Sequence, residues 1–194
     1  MNYYISDLHL GCQNRFENRT LEHDKLIKEN WNHVVHNNDV VYILGDIGRE
    51  GGNKDNEYLC EIISTLKGNK VLVQGNHEKL KDNRVKQLFV EVCDRKEITD
   101  NYNGVSHKLL LSHFPELFWN GQHKGWIHLY GHVHMSDEWE VYRHCLNYVN
   151  DFFKGKTMKG YIDCPPAVAY NVGCMLPYMG YTPRTLKEII DSNS

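Results

Sequence analysis

No stretch of this chain is apolar over the roughly 20 residues that a membrane-spanning helix needs. Its opening, MNYYISDLHL, has neither the basic start nor the long apolar middle of a secretory signal. Both absences predict a protein that stays where it is made, in the cytoplasm, without a membrane partner. An excess of one charge is missing too: 22 Lys and Arg against 25 Asp and Glu leave a net charge of −3. That balance gives no electrostatic ground for non-specific binding to DNA, RNA or anionic lipid, although a local basic patch stays open. Cysteine pairs are lacking as well, since Cys12, Cys60, Cys93, Cys145, Cys164 and Cys174 are scattered without a C-x-x-C. This argues against a zinc knuckle or a disulfide scaffold and for reduced thiols. With no internal repeat, low-complexity tract or linker, 194 residues of 41% apolar content read as one domain, 1–194, with a sizeable core.

What is there is an alternation of short apolar runs with helical patterns, which predicts α/β organisation. NYYIS reads as a first strand. Ile27, Trp31, Val34 and Val35 keep helical spacing between Thr20 and Asn37, and VVYIL forms the next strand. Leu59, Ile62, Ile63 and Leu66 share a helical face ahead of a strand at KVLVQ, and a weaker helix lies around Arg84 to Phe89. VEVCDRKEIT and HKLLLS flank Asn103-Gly104, a type I′ turn signal, and so read as the arms of a hairpin. WIHLY and AVAYNV complete the strands. Between them an insertion at about 135–166 carries an amphipathic stripe of Trp139, Tyr142, Leu146, Val149 and Phe153. A substrate lid, a dimer contact and a cover for one sheet face are all open for it, and core packing accounts for the stripe without a function. Near the end, Thr185 and Glu188 form a capping box on TLKEII.

Histidine is abundant, twelve in all, and its placement matters more than its number. The strands finish on DLH, GD, GNH, HF, GHVH and NVG. In α/β sheets ligands gather at the carboxyl ends of strands, where side chains leave the packed sheet and meet in a crevice. In a strand, residues i and i+2 share a face, so Asp7 with His9, and His132 with His134, each offer two ligands in one direction and make two chelating pairs. Gly45, Gly75 and Gly131 directly precede candidate ligands, where a missing Cβ allows close approach. One Asp or one Gly-His pair would be only a turn. Two carboxylates, an amide and five histidines at successive strand ends would be costly in a core without cations, and a thiolate-free N and O set suits borderline divalent metals.

Taken in order, DLH, GD, GNHE, SH, GHVH and NVG resemble the signature of the calcineurin-like metallophosphoesterase superfamily, in its compact bacterial and phage-type branch. The likeness runs from Tyr3 to about Ile190 and extends to ENWN, VYILGDI, SHFPELFWNG and HKGWIHLYGHVH. It implies a four-layer α/β/β/α sandwich with a dinuclear metal centre. Asp7, His9, Asp46 and His134 would hold the first ion. Asp46, Asn76, His113 and His132 would hold the second, with Asp46 bridging. The implied activity is hydrolysis of phosphomonoester or phosphodiester bonds by a hydroxide shared between two divalent ions, Mn²⁺ first, with Fe, Zn, Co and Ni also suited. Asn76 would also steady the phosphate, and His77 would protonate the leaving alkoxide. The partner is then a small phosphate ester, with nucleotides among the candidates; oligomeric state stays open.

Two positions depart from that pattern. GDIGR puts Arg49 where many relatives carry an Asp that orients the catalytic histidine, leaving open Glu50 or Glu78 as substitutes, or a His77 that acts without a carboxylate. Cys12 stands where relatives often have His, and is expected to pack as a small residue. His123 and Lys124 could reach a phosphate or lie in a solvated loop, and Asn171 and Gly173 could close the site or only end a strand. His23, His33, His36, His107, His128 and His144 show no ligand pattern and read as surface or satisfied core. A nuclease on the same fold, for which a basic tract would be expected, and a non-enzymatic interaction module, which would have lost ligands, are the alternative functions.

Overall fold

The computed structural model describes residues 1–12, 21–48, 53–78, 80–156 and 164–194. Arg49 and Glu50, and with them the departure at GDIGR, lie outside the described residues. The first sheet is built from β1 (Asn2–Ile5), β2 (Val40–Leu44), β3 (Asn69–Val73) and β4 (Glu91–Cys93), all parallel and in that order. Parallel neighbours need crossovers. Here α1 (Leu21–Val34), α2 (Asn53–Ser64) and the short α3 (Asn83–Lys86) supply them. The second sheet holds β5 (Arg95–Tyr102), β6 (Val105–Ser112), β7 (Ile127–Tyr130) and β8 (Val168–Asn171), with β5 antiparallel to β6 and the rest parallel. α4 (Asp137–Phe153) connects β7 to β8, and α5 (Leu186–Asp191) follows.

The β5–β6 hairpin closes as the sequence predicts: Asn103 and Gly104 have φ of 50° and 85°, the two positive values that a type I′ turn requires. The outer arm is shorter than expected, however. VEVCDRKEIT divides at Asp94, where β4 ends in the first sheet and β5 begins in the second. Period-2 patterning reports an extended backbone and is blind to a change of sheet made within one residue.

Alternation on the strands fixes the layers. Leu109 and Leu111 of β6, with Ile127 and Leu129 of β7, bury in the same core as Tyr4, Ile5, Ile43 and Leu72 of the first sheet. Leu110 and Tyr130, pointing the other way, bury against Tyr142 and Leu146 of α4. Ile27 and Trp31 of α1 and Leu59 and Ile63 of α2 cover the first sheet. The order helix, sheet, sheet, helix is the expected four-layer sandwich, and the α4 stripe packs on the second sheet's outer face. At one end the sheets are joined: Ser6 N–H donates to Val172 C=O at 2.8 Å and Cys174 N–H to Ser6 C=O at 2.9 Å. The carboxyl ends of β1 and β8 thereby share one edge. No described helix is long and apolar enough to cross a membrane.

Candidate metal centre

Beyond the last ladder pairs, the chain goes on hydrogen-bonding from loop to loop. Asp7 N–H donates to Gly45 C=O at 3.1 Å, His9 N–H to Asp46 C=O at 2.9 Å and Gly131 N–H to His113 C=O at 2.9 Å. These bonds stack the turns that follow β1, β2, β6 and β7. Within them the backbone turns left-handed at Asp7, His9, Asp46, His132 and His134, with φ from 44° to 70°. A non-glycine residue there costs on the order of 1 kcal/mol or more, and such strain persists only where the surroundings impose it. It brings five polar side chains to one place.

Two groups form. The donor atoms of Asp7, His9 and His134 lie within 4.8 Å of one another, as do those of Asp46, His113 and His132. Asp46 stands between them: its Oδ2 is 3.5 Å from His113 Nε2 and 3.7 Å from His9 Nε2. Asp7 Oδ1 is 3.6 Å from His134 Nε2, which in turn is 3.3 Å from His9 Nε2. Asp7, Asp46, His9 and His113 are all buried. The expected pairing of His132 with His134 does not occur, because they fall in different groups. The i, i+2 rule assumes extended backbone, and the φ values of 70° and 47° at these two residues rotate their side chains apart. Asp7 and His9 do share a group, but through left-handed turns rather than a strand.

The three glycines act as anticipated. A Cβ on Gly45 would meet the His113 ring, one on Gly75 would lie 2.7 Å from Asp46 N, and one on Gly131 would lie 2.7 Å from Asp7 Oδ2. At Gly75 and Gly131 the missing atom makes room for a carboxylate; at Gly45 the φ of 87° adds a conformational demand.

The donor chemistry fits divalent cations. His113 Nδ1 faces Leu44 C=O at 2.8 Å, which sets Nδ1 as the donor and turns the Nε2 lone pair into the site. That Nε2 is 2.9 Å from Asn76 Oδ1 as well as close to Asp46. Burial holds the His113 imidazole below its ordinary pKa against the opposing pull of Asp46, so the ring is poised as a neutral ligand. Lone pairs of carboxylate, amide and imidazole therefore converge on common points with few protons to separate them.

Asn76 and His77 are exposed at the mouth. His77 Nε2 lies 4.0 Å from Asp46 Oδ2, its ring sits edge-on to His9 at 5.7 Å, and its backbone N–H donates to Asp46 Oδ1 at 3.1 Å. Glu78, one of the two substitutes considered for orienting His77, turns elsewhere. Its Oε1 and Oε2 accept from the backbone N–H of Ile47 and of Gly75, each at 2.5 Å. It is a clamp between the turn that carries Asp46 and the turn that carries Asn76 and His77.

Further supports surround the centre. Asn171 Nδ2 donates to His134 C=O at 2.9 Å, and its Oδ1 accepts from Gly173 N–H. Asp7 accepts His132 N–H on both oxygens at 3.1 Å. Phe114, which no motif singles out, sets its ring 4.4 Å from His132 and 5.1 Å from His113. Its only sequence signal is an aromatic directly after a candidate ligand, which is too common to single out. Cys12 belongs to neither group. His123 packs edge-on to Phe153 at the far end of α4, some 25 Å of helix from the Asp137 end. His23 Nε2–H donates to Leu8 C=O at 3.0 Å, and His128 is buried beside Ser112, both as core residues.

Comparison with known proteins agrees with this geometry. A family model for calcineurin-like phosphoesterases matches residues 3–166. An uncharacterised protein of Methanocaldococcus jannaschii is 32% identical over 143 residues, 69% of each chain. The gene 66 protein of Mycobacterium phage D29 is 31% identical over 155 residues, 68% of this chain and 77% of its own. The crystal structure of an Aquifex aeolicus protein of unknown function superposes with a TM-score of 0.67 at 26% identity, covering 100% of this chain and 99% of that one.

Proposed function

The chain belongs to the calcineurin-like phosphoesterase family, and we propose that it is a two-metal phosphohydrolase acting on a small phosphomonoester or phosphodiester. The observation that carries this reading is the position of Asp46 Oδ2, within 4.0 Å of imidazole nitrogens from both groups. One carboxylate oxygen placed between two donor sets is what a bridging ligand needs. Asp7, His9 and His134 would complete one ion's donors. Asn76, His113 and His132 would complete the other's, and Mn²⁺ suits both sets, as Fe, Zn, Co and Ni do.

When bound, the ions supply Lewis-acid charge against the phosphoryl oxygens and acidify water at neutral pH. The remaining chemistry belongs to the chain. The exposed amide of Asn76 can steady a phosphoryl oxygen. His77, at the solvent edge with its backbone tied to Asp46, can carry a proton on Nε2 and give it to the departing alkoxide. Buried Asp7 and Asp46 are held by backbone N–H donors from His132 and His77, so their oxygens keep their aim while substrate enters.

The test is turnover of p-nitrophenyl phosphate, bis-p-nitrophenyl phosphate and 2′,3′-cyclic nucleotides by manganese-loaded protein, before and after chelation. Metal-dependent release of product is expected, and the monoester-to-diester ratio assigns the preference. No turnover of any ester would favour the interaction-module reading instead.

A further inference from the structure

The ridge made by Phe114 separates two cavities next to His113 and His132. One, of about 450 Å³, has a mixed lining and carries charge from Glu78, Asp94, Arg95 and Glu116. The other, of about 530 Å³, is an open groove between the turn after β6 and the first turns of α4. Its walls come from Leu117, Val133, Val141 and Tyr142. Its inner end is His132 itself, so the groove begins where one of the metal-ligand groups ends.

Three features define what this groove accepts. Its surface is apolar, and the Tyr142 hydroxyl is already committed, donating to Glu116 C=O at 2.9 Å. Among the described residues no Lys or Arg lines it, while Asp137 and Glu138 stand on its rim, so a second phosphate would be repelled. And Phe114 is half exposed, at 50%, although its ring rests on two imidazoles. An exposed aromatic set beside two candidate-ligand histidines is a stacking platform.

Resting on the phosphohydrolase reading, we infer that this groove binds the organic substituent of the ester, an uncharged, largely apolar ring stacked against Phe114 while the phosphate sits at His132. The assigned substrate class is therefore aryl or ring-bearing phosphate esters with a single phosphate, and polyphosphates are excluded. Continuity decides the occupant: a ring bonded to a phosphate at His132 reaches the groove without leaving the surface.

The experiment measures binding, by calorimetry on manganese-loaded protein, of two non-hydrolysable probes, 1-naphthylphosphonate and methylphosphonate. The naphthyl probe is expected to bind at least tenfold more tightly. Val141 is exposed on α4 and outside the metal groups. Val141→Gln should remove most of that advantage and leave methylphosphonate unchanged, whereas Val141→Leu should keep it. Equal affinities in the wild type, or a Val141→Gln variant that weakens both probes alike, would overturn the assignment. So would light scattering that shows a wild-type dimer which Val141→Gln dissociates, because the groove would then be filled by a second copy. Failure of the hydrolase reading looks different: the naphthyl advantage persists, but manganese-loaded protein releases nothing from p-nitrophenyl phosphate.

Discussion

Replacing Glu78 by Gln tests whether the clamp under the metal turns is structural or catalytic. The carboxylate accepts one backbone N–H on each oxygen, from Ile47 and from Gly75. Gln keeps the shape and one acceptor but presents an NH₂ to the second N–H. One hydrogen bond to a charged group is lost, worth about 1.5–3 kcal/mol, and a donor is left facing a donor. Part of this is offset, since burial, with the nearby Asp46 carboxylate adding to it, raises the pKa of Glu78 and makes its charge costly to keep. A net loss of about 2 kcal/mol follows, or a fall in Tm of about 4–8 °C for a chain of this size. Thermal and urea unfolding of chelated protein measure it. Because the two turns carry Asp46 and Asn76, manganese affinity by calorimetry should also fall by about tenfold or more. The reasoning is refuted if E78Q unfolds like wild type and only the pH profile of kcat moves. Glu78 would then be acting on His77.

Asp46→Asn should strip metal from both groups, because its Oδ2 lies between them; elemental analysis that finds two full equivalents would contradict the bridging role. His77→Gln should retain metal yet slow turnover by about 10² to 10⁴, and a variant that lacks metal would show that the role is misassigned. His128 concerns stability. Burial lowers its pKa to about 3, so below pH ~6.5 the unfolded chain takes up a proton that the native state refuses. Stability therefore falls as pH drops from ~6.5 toward ~3, at up to about 1.4 kcal/mol per pH unit from this one group. His128→Gln, which retains a hydrogen-bonding partner for Ser112, should flatten that limb in urea titrations; an unchanged slope would assign it to other groups.

Most of the scaffold was legible because burial and backbone period are written residue by residue. VVYIL and KVLVQ read as buried strands from their short apolar runs, and the 142, 146, 149 spacing reads as one helix face, whose packing on the second sheet only the fold reveals. The change of sheet at Asp94 was not legible, since pairing partners are a property of the whole fold and one polar residue between two extended runs resembles any bulge or turn. Glu78 shows the same limit at the site. Its position beside His77 invites a side-chain partnership, yet two unpaired backbone donors in neighbouring turns compete for it and hold it. Phe114 was invisible because an exposed aromatic after a strand carries no period.

The ligands themselves are the most instructive case. Which candidate residues gather could be read from strand ends, but their directions could not, because direction depends on φ. Left-handed backbone is ordinarily inferred from glycine, and here five of the turns' left-handed residues are Asp or His. Strain on the order of several kcal/mol is thus stored beneath the candidate metal groups. What holds it is the loop-to-loop ladder, from Asp7 N–H through His9 N–H to Gly131 N–H. The glycines flanking the ligands are the part of this that sequence shows, since the space they vacate is where Asp7, Asp46 and His113 sit. A candidate metal site of this kind announces itself as much by the small residues beside its donors as by the donors, because at three separate strand ends a Cβ would meet Asp7, Asp46 or His113.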